Sequence, residues 1–157
     1  MNKMIKSLDN LKNIIINHKK DNKKIVLTNG CFDILHIGHI RYLYQAAALG
    51  DVLLVGVNSD ASIKTIKNEN RPIIEEKERA EIVAALEMVD YVTIFDETTC
   101  SNLLKEIKPD IYVKVGDYTP ENLPEWSVTQ KYRIKVKFIK LVENKSTTKI
   151  IKKIREN

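Results

Sequence analysis

The sequence predicts an α/β fold: a parallel sheet of about five strands with helices on both faces. Two observations carry this. Short apolar, β-branched runs alternate along the chain with segments of helical spacing. The clearest run, Val52-Leu53-Leu54-Val55-Gly56-Val57, is apolar on both faces, as a central parallel strand requires. At 157 residues, with 43% hydrophobic residues, the chain is sized for one domain.

The elements follow in order. Met4, Ile5, Leu8, Leu11, Ile14 and Ile15 predict an amphipathic helix over 3–18. Lys24 to Thr28 reads as the first strand, ending at Asn29-Gly30, and a helix over about 37–49 stops at Gly50. After the 52–57 strand, the polar stretch Asn58 to Arg71 reads as a loop with room for a helical turn. Glu75 to Val89 is expected to be helical, with Ile82, Val83, Leu86 and Val89 as its apolar stripe. Tyr91 to Phe95 and Asp110 to Val115 read as strands around a helix over Ser101 to Ile107. Gly116 to Glu125, with Gly and two Pro, reads as a loop. Val136, Phe138, Ile139 and Leu141 predict a last strand, and Thr147 to Ile154 a last helix. The expected organisation is one domain over 1–157: an N-terminal helix within 1–22 and a catalytic core over 23–157.

Composition narrows the function. No apolar run approaches the roughly 18 residues of a membrane span, and the lysine-studded N-terminus lacks the apolar core of a secretion signal. Two cysteines are too few for a disulfide scaffold, so a soluble cytoplasmic protein without a membrane partner is expected. The formal charge of +5 is unevenly spread. Residues 1–24 carry seven Lys against two acids and residues 131–157 ten Lys/Arg against two, around an acidic middle. The basic ends read first as solvated helix faces. With three Phe, one Trp and no aromatic–basic interleaving, nucleic acid is not the expected partner.

The chemistry is expected at the carboxyl end of the first strand, in Thr28-Asn29-Gly30-Cys31-Phe32-Asp33-Ile34-Leu35-His36-Ile37-Gly38-His39. This is neither a P-loop nor a G-x-G-x-x-G fingerprint, but it shares their logic: a glycine turn leading from a strand into a helix N-terminus. There, free N–H groups and the helix dipole favour an anion. His36 and His39 share one face of that first turn, and Gly38 leaves room for a phosphate to approach the backbone. Zinc binding near Asp33 and plain helix capping are the competing readings; no Cys/His partner spacing follows to complete a zinc site. Phosphate binding is the favoured one.

Two further positions follow from spacing. Arg79 shares the buried-side stripe of Ile82 and Val83, where its guanidinium needs an anion: a phosphate, or a carboxylate in an internal salt bridge. Ser146-Thr147-Thr148 opens the last helix, and Lys149 at its third position opposes the helix dipole, a conflict a bound anion removes.

Asn29 through His39, with His36-Ile37-Gly38-His39 as an HxGH element, resembles the signature of the cytidylyltransferase-type nucleotidyltransferases, a superfamily with a Rossmann-like sheet. Val57 to Ser62, Arg71-Pro72-Ile73, Ala85 to Asp90 and Gly116-Asp117-Tyr118 resemble the bacterial heptose 1-phosphate adenylyltransferases. Ser146 to Ile151 resembles both these and the glycerol-3-phosphate cytidylyltransferases. The resemblance implies a reaction in which a sugar or polyol phosphate attacks the α-phosphorus of ATP or CTP and pyrophosphate leaves. ATP with heptose 1-phosphate leads. CTP with glycerol 3-phosphate or another polyol phosphate is the alternative, and FAD synthesis a distant third.

The resemblance also implies roles. His36, His39, Lys67 and Arg79 would serve the transfer. Asn29, Gly30, Cys31, Phe32, Gly38, Asp117, Ser146, Thr147 and Thr148 would join the two histidines around the nucleotide, and Asp33, Lys64 and Lys114 would face the acceptor. Cys31 is not expected as a nucleophile, since phosphate-to-phosphate transfer has no need of a thiolate. No dedicated metal cage is expected; Mg2+ would be held by nucleotide phosphates and water. A homodimer, with the N-terminal helix as a contact, and a stand-alone form without the sugar kinase module complete the expectation. The chain departs from the heptose enzymes at Val115, where they carry glycine, over Gln130 to Ile134, where they carry a glycine pair, and at Asn144-Lys145, where they carry Gly-Cys.

Overall fold

The computed structural model describes residues 5–140 and 146–156. Five strands form one parallel sheet: β1 (Ile25–Gly30), β2 (Val52–Asn58), β3 (Tyr91–Phe95), β4 (Ile111–Val115) and β5 (Lys135–Ile139). Their order across the sheet is β3-β2-β1-β4-β5. Every pairing is parallel, with Val26 opposite both Leu53 and Ile111 at the centre. The chain adds strands to one side of β1, then crosses to the other. The reversal lies between β1 and β4, and at such a switch point a crevice opens beyond the strand ends.

Strand residues alternate between two cores because successive side chains point to opposite faces. Val26, Leu53, Val55 and Val57 pack with Leu43, Ala46, Val83 and Ala84. Those partners lie on α2 (Ile37–Ala47) and α4 (Glu76–Ala84). Ile25, Leu27, Leu54 and Tyr112 pack on the opposite face with Leu11, Ile15, Leu103 and Leu104. These come from α1 (Leu8–Lys20) and α5 (Ser101–Ile107). The fully apolar 52–57 run is thus buried on both faces, as its composition requires.

Several boundaries differ from expectation. The first helix starts at Leu8, where Ser7 caps it by accepting from the Asn10 N–H. Ile5 instead pairs in parallel with Val92 on the edge strand β3. The polar 58–71 stretch contains a seven-residue helix, α3 (Asp60–Ile66). Its polarity hides it because its buried Ser62 is satisfied by hydrogen bonds, from the Asn58 amide and to the Glu97 carbonyl, and not by apolar packing.

Helix α4 ends at Ala84, and its buried face is Arg79, Ala80, Val83 and Ala84, whereas Ile82 is exposed. Asp90 then accepts from the Leu53 N–H at 2.7 Å, fastening the turn into β3. A short helix, α6 (Trp126–Lys131), precedes β5, where no helix is expected from the few apolar residues there. The last helix is α7 (Thr147–Arg155). Leu141, assigned to the last strand, and Asn144-Lys145 lie outside the described residues. Among the described residues, no helix is long and apolar enough to cross a membrane.

Candidate nucleotide site

A pocket of about 310 Å3 opens beyond the carboxyl ends of β1 and β4. It is walled by the β1–α2 connection, the end of α3 with Arg71, the residues at the ends of β4 and β5, and the first turn of α7.

The β1–α2 connection is closely packed. Phe32 takes a left-handed backbone (φ 48°) and buries its ring against Gly30. A Cβ on Gly30 would lie 3.1 Å from that ring, so glycine permits the close packing. His36 is the N-cap of α2, with its Nδ1 accepting from the Gly38 N–H at 3.1 Å. His39 Nδ1 reaches back to accept from the His36 N–H at 3.3 Å, so the pair forms a reciprocal capping box. The rings lie 4.0 Å apart, centroid to centroid. An accepting Nδ1 leaves the proton of a neutral imidazole on Nε2, making each ring a donor there. Burial, aided by the neighbouring His36, lowers the His39 pKa from its ordinary 6.5 to about 4, so His39 is neutral at pH 7.

Asp33 has another task. Its Oδ2 meets Arg71 Nε at 2.5 Å, and its Oδ1 accepts from the Ile73 and Ile74 N–H groups at 2.8 and 3.0 Å. It therefore fastens the segment after the cis Arg71–Pro72 bond to the β1–α2 connection. With both oxygens engaged, it does not fit the role of a metal ligand. Among the described residues no group of three His, Cys, Asp or Glu converges on a metal position.

The cationic groups on the pocket wall are Lys67, Arg71 and Lys140. Across the mouth, Ser146 caps α7 by accepting from the Lys149 N–H at 3.2 Å, and Thr147 Oγ1 donates to the Ile34 carbonyl at 2.9 Å. The Cys31 thiol is held above its ordinary pKa by burial, so it is not an activated thiolate.

Of the expected site residues, the pocket gathers Asn29, Gly30, Cys31, Phe32, Asp33, His36, Gly38, His39, Lys67 and Ser146 to Thr148. Four do not line it. Arg79 is completely buried and directs its guanidinium to the Ile74 carbonyl (2.8 Å), the Cys31 carbonyl (2.5 Å) and Asp60 (2.7 Å). It is a structural ion-pair residue, because α4 turns that face into the protein and away from the pocket. Lys114 is drawn to the buried Glu125 carboxylate. Lys64 is exposed on α3, three residues from the Lys67 that reaches the pocket. Asp117 is exposed past the end of β4, with its carbonyl accepting from Asn122.

Four pocket residues escaped expectation as contacts: Tyr42, Arg71, Val115 and Lys140. The spacing His39-x-x-Tyr42 put Tyr42 on the same helix face, a signal available in the sequence. Lys140 carried no signal beyond its place after an apolar run.

A parallel sheet with a histidine-lined, cation-rimmed pocket at its switch point defines the class: an α/β domain with a pocket beyond its strand ends at a helix N-terminus. Residues 27–157 match the cytidylyltransferase-like family model, and the chain belongs to that family of nucleotidyltransferase enzymes. It is 52% identical over 150 residues to the bifunctional protein HldE of Geobacter metallireducens, covering 96% of this chain and 31% of that protein. The HldE of Aliarcobacter butzleri is 47% identical over 156 residues, 99% of this chain and 32% of that one. The chain thus spans about a third of the length of these relatives.

Among solved structures, the lipopolysaccharide core biosynthesis protein of Thermoplasma volcanium superposes with a TM-score of 0.63 at 32% identity, covering 78% of this chain and 99% of that one. The pantoate–β-alanine ligase of Francisella tularensis (TM-score 0.65, 15% identity, 98% of this chain and 78% of that one) shares the fold.

Proposed function

We propose that the chain transfers a nucleoside monophosphate from an NTP to a sugar phosphate, with ATP and heptose 1-phosphate giving ADP-heptose and pyrophosphate. A phosphate oxygen of the acceptor attacks the α-phosphorus, and the bond to the α–β bridging oxygen breaks. Negative charge grows on the departing pyrophosphate, so catalysis here is alignment and charge stabilisation. The carrying observation is the reciprocal cap of His36 and His39: it locks both rings at the N-terminus of α2 with their protons on Nε2. The neutral His39 donor, the helix N-terminus and Lys67, Arg71 and Lys140 together would cradle the triphosphate. Ser146 to Thr148 supply hydroxyls from the opposite wall.

Mg2+ would enter as the counter-ion of the nucleotide, supplying charge neutralisation; the engaged Asp33 offers it no cage. Similarity to the HldE proteins and the resemblance to heptose 1-phosphate adenylyltransferases support the heptose acceptor. One observation favours a second reading with CTP and a polyol phosphate: Val115 lines the pocket where the heptose enzymes carry glycine. We place the protein in the cytoplasm, where nucleoside triphosphates are, as a homodimer with α1 and its half-exposed Ile16 as a contact. Sedimentation showing only monomer at working concentration would reject that dimer.

The deciding experiment measures pyrophosphate release with ATP and CTP against heptose 1-phosphate and glycerol 3-phosphate. ATP with heptose 1-phosphate is expected to be the fastest pair. Release only with CTP moves the assignment to the second reading, and silence of every pair refutes transfer altogether.

A further inference from the structure

A buried polar chain runs from the far side of β4 into the pocket. Glu125, only 1% exposed, accepts from the Cys100 N–H at 3.0 Å and from Lys114 Nζ at 3.3 and 3.4 Å. Lys114 Nζ also donates to the Tyr112 hydroxyl at 3.1 Å, and that hydroxyl donates to Asn29 Oδ1 at 2.7 Å.

The geometry gives this chain a direction. An ammonium has protons and no acceptor, so the Tyr112 oxygen receives from Lys114, and the Tyr112 hydroxyl is placed to donate to Asn29 Oδ1. Burial holds the Tyr112 phenol well above its ordinary pKa, so the proton is always there to give. Asn29 must then present Oδ1 to Tyr112, and the remaining polar group of its side chain is the NH2. Asn29 lines the pocket, and among the described residues Nδ2 has no hydrogen-bond partner.

We infer that Glu125, Lys114 and Tyr112 form a positioning chain that fixes the Asn29 amide as a donor to a phosphoryl oxygen of the bound ligand. Lys114, expected from sequence to touch the acceptor, acts one step removed, through Tyr112. A phosphoryl oxygen is the partner because the pocket is rimmed by cations and a helix N-terminus, and an amide NH2 can only donate. The inference deepens the transfer reading and rests on it for kinetics, though not for binding.

The test is a double-mutant cycle of Tyr112→Phe, Asn29→Ala and both together. Each protein is titrated calorimetrically with inorganic triphosphate and, separately, with heptose 1-phosphate, and assayed for the KM of each substrate. Tyr112→Phe is expected to weaken one of the two ligands about tenfold, the loss of one oriented hydrogen bond to a charged group. A loss confined to triphosphate assigns the oxygen to the nucleotide; a loss confined to heptose 1-phosphate assigns it to the acceptor. The double variant should be no worse than Asn29→Ala, since Tyr112 acts only through Asn29.

An equal penalty for Tyr112→Phe in both backgrounds, or none in either, overturns the inference. If Tyr112→Phe fails to fold, Asn29→Asp decides: it keeps the shape and the Tyr112 contact but replaces the donor with an anion. It should bind more weakly than Asn29→Ala, and wild-type binding would overturn the donor role. A wild-type protein that binds but transfers nothing defeats the transfer reading alone. One that binds neither probe defeats the donor role.

Discussion

His39 shows how burial holds one side chain uncharged, as the donor role proposed for it requires. With a folded pKa of about 4 against 6.5 when unfolded, the native state refuses a proton that the unfolded chain accepts between those values. Stability should therefore fall as pH drops from about 6.5 to 4 and level off below, as far as this residue is concerned. Urea unfolding of wild type and His39→Gln at pH 7 and pH 5 checks this, with a shallower acid loss expected in the variant. The capping role of His36 can be separated from its chemistry. His36→Ala should cost about 1 kcal/mol of stability with the lost cap, and several orders of magnitude in turnover. His36→Ser restores a cap, so it should recover the stability and leave turnover low, by thermal melts and pyrophosphate release. The pair was legible because it places two of three histidines within four residues after a strand. Helix capping was a competing reading for these histidines and the structure shows both rings in that role; that the two caps are reciprocal was not legible, since His is an uncommon N-cap.

At the level of elements, Arg79 ties three pieces together: the β1–α2 connection through the Cys31 carbonyl, the loop at Ile74, and α3 through Asp60. Arg79→Met leaves a carboxylate and two carbonyls without their partner, and should cost about 3–5 kcal/mol, measured by urea unfolding. The spacing in α4 did announce that Arg79 is buried, but which anion it meets depends on α3, a helix that sequence polarity concealed. Periodicity sees apolar stripes; α3 buries only Ile63 beside Ser62, which Asn58 and a carbonyl hold, and so leaves none. The turn from α2 to β2 is tight for a different reason. A Cβ on Gly50 would lie 2.6 Å from Val26 Cγ2 and 2.7 Å from the Lys24 carbonyl. Gly50→Ala should therefore destabilise by about 1–3 kcal/mol in a thermal melt.

Across the whole molecule, the sheet was the most legible part, because the apolar runs of the central strands β1, β2 and β4 pack against α1, α2, α4 and α5, helices that sequence spacing announces. Strand order was less so: nothing local states that β4 returns to pair with β1, and that crossing creates the pocket. The outer edges are managed separately. Ile5 pairs alongside β3, while β5 exposes Lys135 and Lys137, whose charges discourage a second chain from pairing there. Replacing both with Val should produce association detectable by light scattering at concentrations where the native chain stays clear.

The Thr147–Ile34 hydrogen bond joins residues 113 positions apart, and α7, which it anchors, buries none of its own side chains. A helix so lightly seated gains grip from whatever sits beneath its first turn. Protease resistance near the carboxyl terminus is then a gauge of occupancy, rising when triphosphate is supplied and falling again on its removal.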